Sequence, residues 1–324
     1  MKLFYAALDA VFVARPLLLV PVWGFCVFGY WRATVEGKSP SVSALWGREH
    51  AAAFVSMLVF SCAVASVYVL NQIADRQVDR MNKGFAMLAR GNVGRKLALA
   101  SACALALTAV LIPAVQRSPV MLYSVSALIL GVLYSFRPTY FSGRPLADFV
   151  ANAFGYGVIA FGAGWTLAGA SALSGSFALA SLPYFLLMAG GSICSTLPDY
   201  EGDKAGGKRT TVVAMGRRRA HVLATLLLVA GCVSAALVGD WVALVMGAGA
   251  LPVFLAYALH PSAAFMEATY KVTGAFAMLL AACLYPLMVP VSLALLAATW
   301  TYFRLRHHVS YPSLVPVSYA DKNR

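Results

Sequence analysis

Apolar residues run along this chain in long blocks, separated by short polar segments in which the charges collect. The blocks fall at about 11–31, 50–74, 96–115, 119–136, 147–169, 179–197, 220–238, 241–260 and 271–303. A helix needs roughly 20 predominantly apolar residues to cross a bilayer, so the pattern predicts an all-α polytopic membrane protein with about nine transmembrane helices. Span nine is over-long and carries Pro286 and Pro290, which predicts a kink, a tilt or a break into two shorter helices.

Composition agrees with a bilayer setting. Of 324 residues, 61% are hydrophobic and only 11% charged, and the mean hydropathy of +0.76 is too apolar for an ordinary soluble domain. One intramembrane domain over residues 1–324 is expected, with lipid as its surroundings. The net charge of +13 is not a nucleic-acid signature, because the basic residues sit in the loops between spans. Arg76, Arg80, Lys83, Arg90, Arg95 and Lys96 follow span two; Arg137 and Arg144 follow span four; Lys204, Lys208, Arg209, Arg217, Arg218 and Arg219 follow span six. The positive-inside rule makes all three segments, and the N-terminus, cytoplasmic. Against that alternation, Arg32, Lys38 and Arg48 fall in the first outer loop, and Arg304, Arg306, Lys322 and Arg324 lie outside if span nine crosses once. The six cysteines show no CxxC spacing and read as small packing residues. Asp9 and Arg15 interrupt the apolar start, which argues against a removable signal peptide.

The chemistry is concentrated in the acids. The chain has twelve Asp and Glu residues, and five fall in two short segments at the ends of spans two and six. In the first, Asn71, Asp75 and Asp79 recur every four residues; in the second, Asp199 and Asp203 have the same spacing, with Glu201 between them. On a helix, residues four apart share one side, where two carboxylates repel unless a cation lies between them. Mg²⁺ suits such a place, since it takes oxygen ligands and is held by one or two carboxylates together with substrate phosphates. Two such pairs facing each other would grip one diphosphate through bridging metal ions, with Asn71 as a neutral oxygen ligand or a donor to phosphate. The bland reading is that the acids balance neighbouring basic residues in wet loops; two matching pairs at the same-side ends of apolar spans favour a site. The histidines do not cluster with the acids, so no Zn²⁺ site is expected. Lys83, Lys204, Lys208 and Arg209 follow the motifs and would stabilise charge developing on a leaving diphosphate, although each also serves as a topology charge. Arg15 lies within an apolar span, where a bare charge costs roughly 2.5–3.5 kcal/mol, and is expected to face the bundle interior.

At these residues the sequence resembles the UbiA superfamily of intramembrane prenyltransferases, whose pattern is N-D-x-x-D-x-x-x-D after the second helix and D-x-x-x-D after the sixth. Supporting matches are Arg15-Pro16, Asn82-Lys83, Tyr134-Ser135, Asp148 and Gly207-Lys208-Arg209-Thr210. There are departures: Gln72 stands where many members have Asp, prolines are absent after Lys83, and Ser142 replaces a basic residue for which Arg144 lies close enough to substitute. The resemblance implies a bundle around a central cavity open to lipid and capped by two motif-bearing cytoplasmic loops. It also implies a Mg²⁺-dependent transferase acting on an allylic polyprenyl diphosphate. Asp75, Asp79, Asp199 and Asp203 would bind the metal ions, and Asn71 and Lys83 the diphosphate. The allylic cation needs a dry, aromatic cavity, for which Tyr134 and Tyr200 are candidates.

The commonest acceptor in the family is an aromatic or quinone-precursor ring, and that is the first expectation here. A tetrapyrrole, a glycerol-phosphate lipid or a carotenoid end group is the alternative, as is an intramembrane terpene cyclase with no separate acceptor. A transporter or lipid-binding protein whose acids hold a cation is the non-enzymatic reading, disfavoured because the acids fall at helix ends rather than at the midplane. The absence of a transit-peptide pattern points to a bacterial or archaeal cytoplasmic membrane.

Overall fold

The computed structural model describes residues 2–35, 45, 47, 50–81, 87–171 and 174–312. All regular structure among them is helical: α1 Lys2–Phe12, α2 Leu19–Thr34, α3 Ala51–Ala74, α4 Arg76–Asp79, α5 Arg95–Val115, α6 Val120–Ser135, α7 Ala147–Phe154, α8 Phe161–Leu167, α9 Gly175–Thr196, α10 Tyr200–Ala205, α11 Thr211–Met215, α12 Arg217–Leu237, α13 Trp241–Leu259, α14 Ala263–Leu284 and α15 Met288–His307. Among the described residues, seven helical stretches are long and apolar enough to cross a membrane unaided. Their outer surface is unlike that of a soluble protein, with Val115 85%, Leu237 83% and Leu259 75% exposed. Such side chains are stable only against lipid or another apolar surface.

Most predicted spans coincide with helices to within a few residues, and three do not. Span one is interrupted. The chain leaves α1 through Val13 and Ala14, Arg15 takes a left-handed conformation (φ 52°), and a tight turn at Pro16–Leu18 leads into α2. The freed carbonyl of Val13 accepts a 2.7 Å hydrogen bond from the Gln72 amide, as a buried backbone group requires. Span five is continuous but widens between α7 and α8 into a π-helical turn, Gly155–Ala160.

Span nine is two helices. Proline lacks the N–H that a helix interior needs, and Pro286 falls in the break between α14 and α15, while Pro290 is tolerated in the first turn of α15. At this break the Tyr285 hydroxyl donates to the His50 carbonyl (2.6 Å) and Leu45 N to the Leu284 carbonyl (2.7 Å). Helix α15 therefore runs back toward the motif-bearing end. There Arg306 pairs with Asp9 (3.2 Å), the Tyr302 hydroxyl donates to the same carboxylate (2.6 Å), and His307 meets Asn92 (3.1 Å). Arg304 and Arg306 are thus on the same end as the other basic loops, which removes their conflict with the charge pattern. Lys38, Arg48, Lys322 and Arg324 lie outside the described residues.

Small residues allow the inner helices to touch. A Cβ on Gly29 would stand 1.9 Å from the Phe161 carbonyl oxygen, and one on Gly164 would stand 1.8 Å from that of Cys26, so α2 and α8 meet backbone to backbone, as small-residue interfaces in membranes do. Of the cysteines, Cys26 and Cys194 are buried as expected, whereas Cys103 and Cys283 face outward from the bundle.

Candidate active site

The first motif straddles the end of α3. Asp75 N bonds to the Asn71 carbonyl (2.8 Å) and Asp79 N to that of Asp75 (2.9 Å), so the four-residue repeat survives the slight kink at Asp75 and its side chains stay on one side. The second motif repeats the device: Asp199 precedes α10, and Asp203 N bonds back to its carbonyl (2.8 Å). Gly207 then turns the chain at φ 73°, and Lys208 N bonds to the Asp203 carbonyl (2.8 Å), returning Lys208 toward the acids.

Both motifs open onto one cavity of about 590 Å³. Asn71, Asp75, Asp79, Asp199, Asp203 and Lys208 line its polar end together with Arg15. Farther in, the wall is apolar and aromatic, with Phe25, Tyr68, Tyr156, Leu187 and Phe254 among its residues. The hydroxyls of Tyr68 and Tyr156 meet at 2.5 Å, and Asn152 donates to the Tyr134 hydroxyl (3.3 Å) and to Ser192 (3.2 Å).

The acids differ in how they are satisfied. Asp75 is held on both oxygens: Lys208 Nζ at 2.7 Å and Asn71 Nδ2 at 3.2 Å on Oδ2, and the Tyr140 hydroxyl at 3.0 Å on Oδ1. Burial alone would lower the pKa of Lys208, but the carboxylate of Asp75 outweighs it and the ammonium is held well above the usual lysine range. Asp199 shows the reverse. Burial, and then the neighbouring Asp203 charge, push it up to about 6, with Lys208 opposing. Asp79 is also raised, by burial first; Arg15 opposes, while Asp75 and Asp203 add to the rise. Carboxylates of one motif thus feel those of the other, and their crowding is the repulsion that a dication would relieve. Among the described residues no three acidic, His or Cys side chains stand close enough to hold a single ion by themselves. That donor set still fits Mg²⁺, which is typically held by one or two carboxylates with phosphate oxygens and water completing the shell.

Of the residues singled out in the sequence, Asp75, Asp79, Asp199, Asp203, Asn71, Arg15 and Tyr134 come together at this cavity. Four others do not reach its wall, among them Arg209, which is exposed. Arg144 is exposed and donates to the Pro138 carbonyl; Tyr200 lies under the guanidinium of Arg217 at 4.8 Å; and Lys204 is exposed beside the same ring at 5.8 Å. Lys83 lies outside the described residues. Glu201 points elsewhere, toward Arg217 (3.6 Å). Gln72, at the position where an acid was missing, is turned away to bind the Val13 carbonyl. Sequence reading gave no role to Tyr140, Asn152, Tyr156 or Tyr270. Asn152 carried a signal, a polar residue inside an apolar span, whereas Tyr140 sits in a loop whose path only the fold reveals.

A helical bundle with a lipid-facing surface, and acids from two separate loops at the mouth of an otherwise apolar cavity, defines an intramembrane protein with an acid-rimmed, apolar-walled cavity. The UbiA prenyltransferase family model matches residues 22–268. The chain belongs to that family. It is 32% identical over 170 residues to a digeranylgeranylglyceryl phosphate synthase from Halobacterium salinarum, a match covering 52% of this chain and 58% of the relative's length. A protein of the same name from Thermococcus kodakarensis is 27% identical over 198 residues, covering 60% of this chain and 68% of that one. A UbiA homolog from Archaeoglobus fulgidus, solved bound to DMAPP and Mg²⁺, shares the fold with a TM-score of 0.63 at 21% identity, covering 85% of this chain and 98% of the other.

Proposed function

We propose that the protein transfers a prenyl group from an allylic polyprenyl diphosphate to a glycerol-phosphate lipid, with Mg²⁺ as cofactor. The observation that carries this reading is the meeting of Asp75, Asp79, Asp199 and Asp203 at the polar end of one largely apolar cavity. The donor's charged head suits that end, and its hydrocarbon tail suits the rest. The four aspartates would hold the metal ions, whose chemistry would be to offset charge on the leaving diphosphate. Arg15 and Lys208 add fixed positive charge at the same place. Tyr68, Tyr134, Tyr156 and Phe25 keep water from the reacting carbon and turn ring faces toward positive charge. The aromatic ring expected first from the sequence gives way to the glycerol-phosphate alternative as the better-supported acceptor, because the archaeal relatives bear the name of a glyceryl phosphate synthase. The two motif loops form the cytoplasmic cap of the cavity, in keeping with the basic residues around them.

The test is product analysis by mass spectrometry. Detergent-solubilised protein is incubated with Mg²⁺, prenyl diphosphates of several lengths, and a panel holding a prenylated glycerol phosphate, an aromatic carboxylic acid and a tetrapyrrole. A prenylated glycerol phosphate that forms with Mg²⁺ and disappears with a chelator is the expected result. An adduct on the ring instead would restore the first acceptor, and well-folded protein that consumes no donor would overturn the reading.

A further inference from the structure

The geometry points to Met278, packed over Gly24, as the side chain that ends the tail-binding part of the cavity and so sets the length of prenyl chain the protein accepts. The inference rests on the prenyl-diphosphate reading above. Helix α14 enters the cavity at Tyr270, which feels the charge of Asp199, and continues along its wall through Thr273, Gly274 and Ala277 to Met278, the last lining residue on this helix. Eight residues at about 1.5 Å each put Met278 roughly 12 Å beyond Tyr270. On α9 the lining runs from Thr196 to Leu187, roughly 13 Å by the same rise, so the lining on two independent helices has the same length. With one further turn of about 5 Å to the acids, the head-to-floor distance is roughly 17 Å. An isoprene unit contributes four chain bonds of about 1.5 Å, or roughly 4–5 Å when extended, so three to four units fit.

Gly24 is what lets the floor stand there. It lies one residue before the lining residue Phe25, and a Cβ built on it would come 2.5 Å from Met278 Cε and 2.7 Å from Sδ. The thioether therefore occupies the space a side chain at position 24 would need. Those atoms belong to the flexible end of an unbranched side chain, and Met278 already lines the cavity. Adding a methyl at Gly24 turns the thioether inward and shortens the tail site; removing the thioether lengthens it; making both changes puts the new methyl where the thioether was.

The experiment measures equilibrium binding of unreactive thiolodiphosphate analogues with two, three, four and five isoprene units, with Mg²⁺, to wild type, Gly24→Ala, Met278→Ala and the double variant, each checked for folding by thermal unfolding. Wild type should gain affinity up to three or four units and none with the fifth. Gly24→Ala should lose about tenfold on the four-unit analogue and little on the two-unit one. Met278→Ala should gain at least fivefold on the five-unit analogue, and the double variant should return to within about twofold of wild type at every length. Single variants that change all lengths equally, or a double variant showing the sum of two losses, overturn the inference while leaving the donor reading intact. Wild type whose affinity does not depend on length does the same. Wild type that binds no analogue overturns both.

Discussion

Asp75 and Asp199 stand at equivalent places in their motifs, yet their surroundings give them opposite energetics. Asp75 accepts from Lys208, Asn71 and Tyr140, so Asp75→Asn leaves the half-buried ammonium of Lys208 without its counter-charge and should destabilise the protein by about 3 kcal/mol. Asp199 is desolvated and repelled by Asp203, so Asp199→Asn removes an unfavourable charge and should hold or raise the unfolding temperature. Both variants should lose prenyl transfer by about 10²-fold or more. Thermal unfolding in chelator, where bound cations cannot mask the difference, separates them, and a fall in stability for both would mean that Asp199 is as well satisfied as Asp75. The four-residue spacing made these acids legible in the sequence because a helix fixes which side chains share a side. The partners that distinguish them were not legible: Tyr140 and Lys208 are 65 and 133 residues from Asp75 along the chain, and neither has a local pattern that names its target.

At the scale of elements, helix contacts matter more than helix propensity. The α2–α8 contact depends on Gly164, whose added Cβ would meet the Cys26 carbonyl at 1.8 Å, a rigid backbone atom with no rotamer to yield. Gly164→Ala should cost about 1–3 kcal/mol as overpacking and lower the unfolding temperature in detergent. Gly274→Ala, with nothing within 4 Å of its added Cβ, should leave it unchanged. Hydrophobic blocks located the helices because each must bury or coat about 20 residues in hydrocarbon. They located the interruptions less well: Pro286 marked one break, and Pro16 beside Arg15 carried a comparable signal that the unbroken apolar run masked, while the compensating hydrogen bond from Gln72 has no local signal at all.

For the whole molecule, splitting span nine reverses the direction of α15. Arg304 should therefore be reached from the same side of the membrane as Arg219, at the start of α12, while Gly239, between α12 and α13, is reached from the other. Cysteines introduced singly at these three positions in a cysteine-free background, labelled with an impermeant maleimide in sealed vesicles, should sort in that way. Arg304 labelling together with Gly239 would mean that α15 does not return. Sequence by itself determined that this chain spans a bilayer many times, that its acids form two equal-spaced pairs at the ends of apolar spans, and that they suit a hard cation and a diphosphate, because those properties depend on composition and on the fixed period of a helix. Only the tertiary structure decided which basic and aromatic residues share the cavity with the acids and which of the acids already has an ammonium partner, because each of these depends on side chains brought together by packing between helices distant in sequence.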